Sequence, residues 1–215
     1  MGIPSGSGTS ADPYVVHDWD ELVYSMRGNC VELANDIEAP SGVTSLSSSS
    51  LYSLDGKNYA IRNLTVSPAG DTPAIYFERS GTSGSSTVKN ISFINIYCQS
   101  NGAFIGIRHK GDYNNQNYDN VSFSGIFNGG TLIRAMQGDM YGGAVNIRIA
   151  TNIEIINSNF SLLDNSYDGR RGTFTNSNIM LKYVNCSPTR KLCRLKASDT
   201  GIGSFTNCLL NFSLE

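Results

Sequence analysis

The chain has 215 residues, of which 18 are Asp or Glu and 16 are Lys or Arg, a net charge of −2 with only 16 % charged residues. A chain of that length fits one domain and can bury about 70 % of its unfolded surface. So low and so balanced a charge argues against a nucleic-acid binder or a polybasic membrane surface. There is also no apolar run of membrane-spanning length and no secretory signal pattern, so export by that route is not expected.

Residues 1–13, MGIPSGSGTSADP, have linker composition and are expected to be a flexible or anchoring segment. Residues 14–29 follow as a capping-helix region. In HDWDELVYSMRGN, Trp19, Leu22, Val23 and Met26 recur at helical spacing and form one apolar face. Asp18 and Glu21 make a capping-box start, and Gly28 is a stop. A short amphipathic helix ahead of the first strand, CVELANDI (30–37), is what the open end of a stacked β-structure needs, with Trp19 as a core plug. Residues 41–50, 112–120 and 164–172 read as surface excursions.

From there the text repeats. NYAIRNLTV (58–66), NISFINIYC (90–98), NVSFSGIFN (120–128), NIEIINSNF (152–160) and NIMLKYVNC (178–186) share one template, and Asn207 opens a shorter copy. Each begins on asparagine, alternates apolar with polar residues, and most are interrupted near the middle by a small or amide residue, as at Asn63, Asn95, Gly125 and Asn157. A period near thirty residues signals a stacked repeat architecture. Between these runs lie AIYFER (74–79), FIGIRH (104–109), TLIRAM (131–136) and KLCRLK (191–196), which also alternate and carry one arginine each. Two or three short strands per repeat predict an all-β fold: a single-stranded, right-handed parallel β-helix over 30–215 with a short N-terminal capping α-helix. Asn58, Asn90, Asn120, Asn152 and Asn178 are then expected to form a structural ladder, each amide bonding to its neighbour one coil away.

Gly8, Thr9, Asp12, Pro13 and Tyr14 precede the Trp-Asp-Glu-Leu helix, and Asp55, Gly56, Ile61, Asn63 and Leu64 form an Asp-Gly-x-x-x-x-Ile-x-Asn-Leu strand. With these motifs the chain, from about Gly8 on, resembles the right-handed parallel β-helix proteins of gut-associated Gram-positive bacteria and of their bacteriophages. In phages such proteins are head fibres, capsid decorations or tail-associated proteins, often homotrimeric. The resemblance implies a virion structural protein assembled in the host cytoplasm, attached to other virion proteins through its N-terminal segment and contacting a host-surface polysaccharide.

Chemistry is sparse. Lyase or hydrolase catalysis on this fold needs clustered carboxylates, and most carboxylates here stand singly. The only histidines are His17 and His109. No catalytic residue is assigned and no cofactor is expected. Asp164 and Asp168 echo the front half of a Ca²⁺ loop, but Thr175 stands where the closing glutamate belongs, so the segment reads as a turn. Five cysteines without a Cys-x-x-Cys pair read as buried free thiols of a protein that matures in a reducing compartment. Arg79, Arg108, Arg134 and Arg194 would form a basic stripe for an anionic partner or glycan if they project outward in register; a one-residue slip turns them inward. Two further functions compete with the virion reading. One is a polysaccharide lyase, hydrolase or tailspike-like depolymerase, which needs carboxylates such as Asp112, Asp139 and Asp168 to converge. The other is a bacterial surface adhesin.

Overall fold

A computed structural model describes residues 2–27, 30–48, 52–68, 73–80, 85–100, 102–110, 115–137, 144–165, 171–188, 192–195 and 204–215. In chain order the elements are β1 (Tyr14–Val16), α1 (Trp19–Ser25), β2 (Cys30–Leu33), β3 (Ile37–Glu38), β4 (Leu46–Ser48), β5 (Ser53–Asp55), β6 (Ala60–Arg62) and β7 (Thr65–Val66). Longer strands follow: β8 (Ile75–Ser80), β9 (Ser86–Cys98), β10 (Ala103–Lys110), β11 (Gln116–Phe127), β12 (Gly130–Gln137), β13 (Ala144–Ile155) and β14 (Phe160–Asn165). The last are β15 (Arg171–Thr175), β16 (Asn178–Tyr183), β17 (Cys193–Leu195), β18 (Ser204–Thr206) and β19 (Leu209–Leu214).

The chain winds alternately through two parallel sheets, one of 13 strands and one of six among the described residues. β9, β11 and β13 belong to the first and β10, β12 and β14 to the second, so each circuit lays one strand of each sheet on the circuit before. The fold is a parallel β-solenoid. No helix among the described residues is long and apolar enough to cross a membrane.

Alternation places one residue in two inside, and register stacks like positions into columns. One column runs Val31, Leu54, Val88, Tyr118, Ile147, Phe174. A second runs Ile37, Ile61, Phe93, Phe123, Thr151, Ile179. The six-stranded sheet supplies Leu46, Ile75, Ile105, Ile133 and Leu163. Phe93 stacks on Phe123 at 5.4 Å, and Phe104 meets both edge-on from the opposite sheet. Thr151 is the polar member of its column. Its hydroxyl donates to Met180 O (3.2 Å) and accepts Met180 N–H (3.1 Å), so nothing there is buried unpaired.

The N-terminal region is held by local hydrogen bonds. In the N-terminal segment, of linker composition, Ser7 and Thr9 N–H both donate to Asp12 O, and Cys30 N–H donates to Gly8 O at 2.8 Å. The segment is therefore tied to the first strands. In α1, Asp18 accepts Glu21 N–H (2.8 Å), and Glu21 Oε2 accepts His17 N–H (2.8 Å), one residue before the position a capping box uses. Leu22 and Met26 are buried in the common core with Trp19 partly buried against it, but Val23 faces solvent and Ser25 takes the inner position.

Two presumed excursions contain strand. Leu46 of the serine-rich stretch lies in β4 and is buried, and Gln116–Asn120 open β11 with Tyr118 in the core. Their polar composition masked the alternation, as at Gln116, which is polar yet buried. Residues 166–170 of the third presumed excursion lie outside the described residues, while its flanks belong to β14 and β15.

Candidate functional site

Sharp corners in a strand need a residue of positive φ, which asparagine adopts more readily than other non-glycine residues. Nine non-glycine residues have positive φ among those described, and eight are asparagines. Seven of these asparagines fall on two corners of the 13-stranded sheet, while Asn185 follows β16 and Lys57 precedes Asn58 in its turn. The first carries Asn58, Asn90, Asn120, Asn176 and Asn207 (φ 72°, 49°, 55°, 47° and 53°). Asn120 Nδ2 donates to Asn90 Oδ1 at 3.1 Å, and Asn90 Nδ2 donates to Asp55 Oδ1 at 3.2 Å. The second corner carries Asn63 and Asn95, joined amide to amide, with Glu38 accepting from Asn63 Nδ2 at 2.6 Å. In β11 that corner collapses to Gly125, whose φ of 145° suits glycine and where a Cβ would strike Ile96.

Asn152 and Asn178 do not join the ladder. Pairing sets Asn152 beside Ser124 and Met180, and Asn178 beside Ala150, all outward strand positions. The cause lies in β13. Asp119 pairs with Arg148 and Val121 with Ile149, so β13 has no residue at the Asn120 corner. The column resumes at Asn176, one coil later. The backbone tolerates the omission because buried Ser177 accepts Ile149 N–H at 3.1 Å and donates to Thr175 O at 3.1 Å.

The sheet folds around this corner and leaves an outward groove. One part, about 570 Å³, is lined by Thr87, Asn117, Asp119, Asn146, Arg148, Thr175 and Asn176, among others. The adjoining part, about 350 Å³, is lined by Asn58, Asn90, Ser92, Asn120, Ser122, Arg148, Ala150, Asn176 and Asn178, among others. Arg148 and Asn176 belong to both. Its side chains form further ladders. Asn146 Nδ2 donates to Asn117 Oδ1 (2.8 Å) and Ser122 Oγ to Ser92 Oγ (2.7 Å). Charges alternate along one row, Asp55, Lys89, Asp119 and Arg148. Lys89 Nζ lies 3.1 Å from Asp55 Oδ2, and Arg148 Nε donates to Asp119 Oδ1. Burial pushes the Asp55 carboxyl up, but hydrogen bonds from Lys57 N–H, Lys89 and Asn90, with the Lys89 charge, outweigh it and hold the group below the usual carboxylate value. What the groove offers is a field of amide and hydroxyl partners, with its carboxylate Asp119 tied to Arg148.

The four arginines of the expected stripe do not share a row. Arg79 pairs with His109, and Arg108 with Glu78 and Met136. Arg134 and Arg194 share a row, with Asp164 between them. Arg134 is only 6 % exposed and lies 3.4 Å from Asp164 Oδ2, itself 1 % exposed, so it does not project to solvent. The arginines follow one another at similar places in the text, but register differences of one to three residues put them on different rows. Asp164 is thus an ion-pair partner within β14, while Asp168 lies outside the described residues, as do Asp112 and Asp139. No group of three potential metal ligands occurs among the described residues. All five cysteines are free. Burial raises the Cys98 thiol to about 11 and the Cys193 thiol to about 12, which keeps both protonated and unreactive near neutral pH.

The residues that line the groove at Asn117, Asn146, Arg148 and Asn176 escaped the sequence reading. Their signal is present, as polar residues at alternate positions ahead of each corner, but it needs the strand register before it can be read. No family model, no curated protein and no solved structure matches the chain.

Proposed function

We propose that the chain is a non-enzymatic β-helix of a bacteriophage particle, right-handed and closed at its N-terminal end by α1, whose corner groove contacts a host-surface glycan. The observation that carries the glycan contact is the groove itself, with stacked Asn, Ser and Thr side chains presenting donors and acceptors at regular spacing and an ion pair between Arg148 and Asp119. Such a surface matches a polyhydroxylated chain better than an apolar ligand.

The non-enzymatic part is supported by the pairing of Asp119, the carboxylate that lines the groove, with Arg148, and of Asp55 on the same row with Lys89. Attachment to other virion proteins is assigned to the N-terminal segment, where Ile3 is 77 % exposed. The role is passive: a stiff stack presents the groove, and several copies on one particle multiply weak single contacts. Mass spectrometry of purified virions should find this chain. Its absence from intact particles overturns the virion assignment.

A further inference from the structure

The asparagine ladder runs in one direction. Asn90 donates to Asp55 and Asn120 donates to Asn90, each rung using its Nδ2 toward the preceding coil and leaving its Oδ1 for the next. At β13 the next rung is missing, because Arg148 is followed directly by Ile149 where a corner asparagine would stand. Asn176 stands on the far side. Asn120 Oδ1 and Asn176 Nδ2 have no hydrogen-bond partner among the described residues. Strands stack about 4.8 Å apart, so the two flanking rungs are separated by roughly 10 Å, the room of one amide with a hydrogen bond on each side. The groove opens over this break, beside Arg148, Ala150 and Asn178.

We propose that the break binds the acetamido group of an N-acetylated amino sugar. Its N–H donates to Asn120 Oδ1 and its carbonyl accepts from Asn176 Nδ2, so the ligand amide takes the place of the rung that β13 lacks. The methyl group lies against Ala150, which is exposed in the groove between the Ser122 and Asn178 positions. The ring hydroxyls meet Ser122, Asn178 and Arg148. A glutamine or asparagine of a partner protein carries the same amide. The sugar is favoured because the surroundings are hydroxyl and amide groups, without the apolar pocket that anchors a peptide.

This inference rests on the glycan-contact reading, and calorimetric titration of the full chain separates the two. The probes are a trisaccharide of N-acetylglucosamine and the trisaccharide of glucose with the same linkage. The acetylated probe should bind about tenfold tighter, the worth of one or two hydrogen bonds. Asn120→Gly and Asn176→Gly keep positive φ accessible while removing the amide, and each should bring the acetylated probe down to the affinity of the glucose probe. Insertion of an asparagine between Arg148 and Ile149 should fill the rung and abolish the preference. Equal affinity for the two probes overturns the acetamido site and leaves the glycan groove standing. A preference that survives the glycine variants or the insertion also overturns it. Failure of both probes to bind overturns both readings.

Discussion

At the scale of single residues, Asp55 shows how much a sequence motif can carry. Its Oδ1 accepts Lys57 N–H and Asn90 Nδ2 while Oδ2 faces Lys89, so one carboxylate closes a turn, starts the amide ladder and ends a charge row. Gly56 follows it because a Cβ there would meet Asn90 O at 2.4 Å. The native carboxyl titrates below its unfolded value, so its contribution to stability is complete above about pH 4 and is lost as pH falls through the native pKa. Asp55→Asn should therefore cost about 1–3 kcal/mol at pH 7 and much less at pH 2. Urea midpoints at the two pH values measure this. An equal loss at both would mean that the replacement of an oxygen by an NH2 group, and not the charge, matters at this position.

At the scale of elements, the corners decide how long a strand is. β9 keeps both corners in asparagine, β11 keeps only Asn120, and β13 runs straight through. Each loss shortens the strand's path by one residue relative to its neighbour, which is why the register shifts at Asp119/Val121 and at Phe123/Gly125. The straight passage of β13 depends on Ser177, whose hydroxyl accepts the buried Ile149 N–H. Ser177→Ala removes little volume but orphans that donor, and should destabilise by about 1–3 kcal/mol in urea unfolding. A change within the error of the fit would show that Ile149 finds another acceptor.

At the scale of the molecule, the two ends of the 13-stranded sheet differ. β1 pairs along the outer edge of β2, and Val15 is bridged in turn by Ser5. At the other end Phe205, Leu210, Phe212 and Leu214 continue the inward columns of Phe174, Ile179, Leu181 and Tyr183, and all four are exposed. Phe205 stacks on Phe174 at 4.7 Å and offers its other side to solvent. An apolar strand edge of this kind promotes association, and charge on it opposes pairing. The edge is expected to make the chain associate as its concentration rises in sedimentation velocity, and Phe212→Lys, at a side chain 48 % exposed, should lower that association with the fold intact by circular dichroism. Association unchanged by the lysine would place the contact elsewhere on the molecule.

Much of this architecture was legible because it depends on alternation and on φ preference, which are local. NYAIRNLTV and NISFINIYC mark their corners correctly, since asparagine at Asn58, Asn63, Asn90 and Asn95 is there for its positive φ. The same text misleads at Asn152 and Asn178, where asparagine occupies ordinary outward positions. The arginines part for a related reason, because register shifts of one to three residues between coils carry them onto different rows. By itself the sequence determined a repeating β-structure, its period, its alternating core and the chemical kind of its corners. Only the tertiary structure decided which residues stand on one another, and so where the ladder breaks and where the groove runs, because register is set by packing between coils about thirty residues apart.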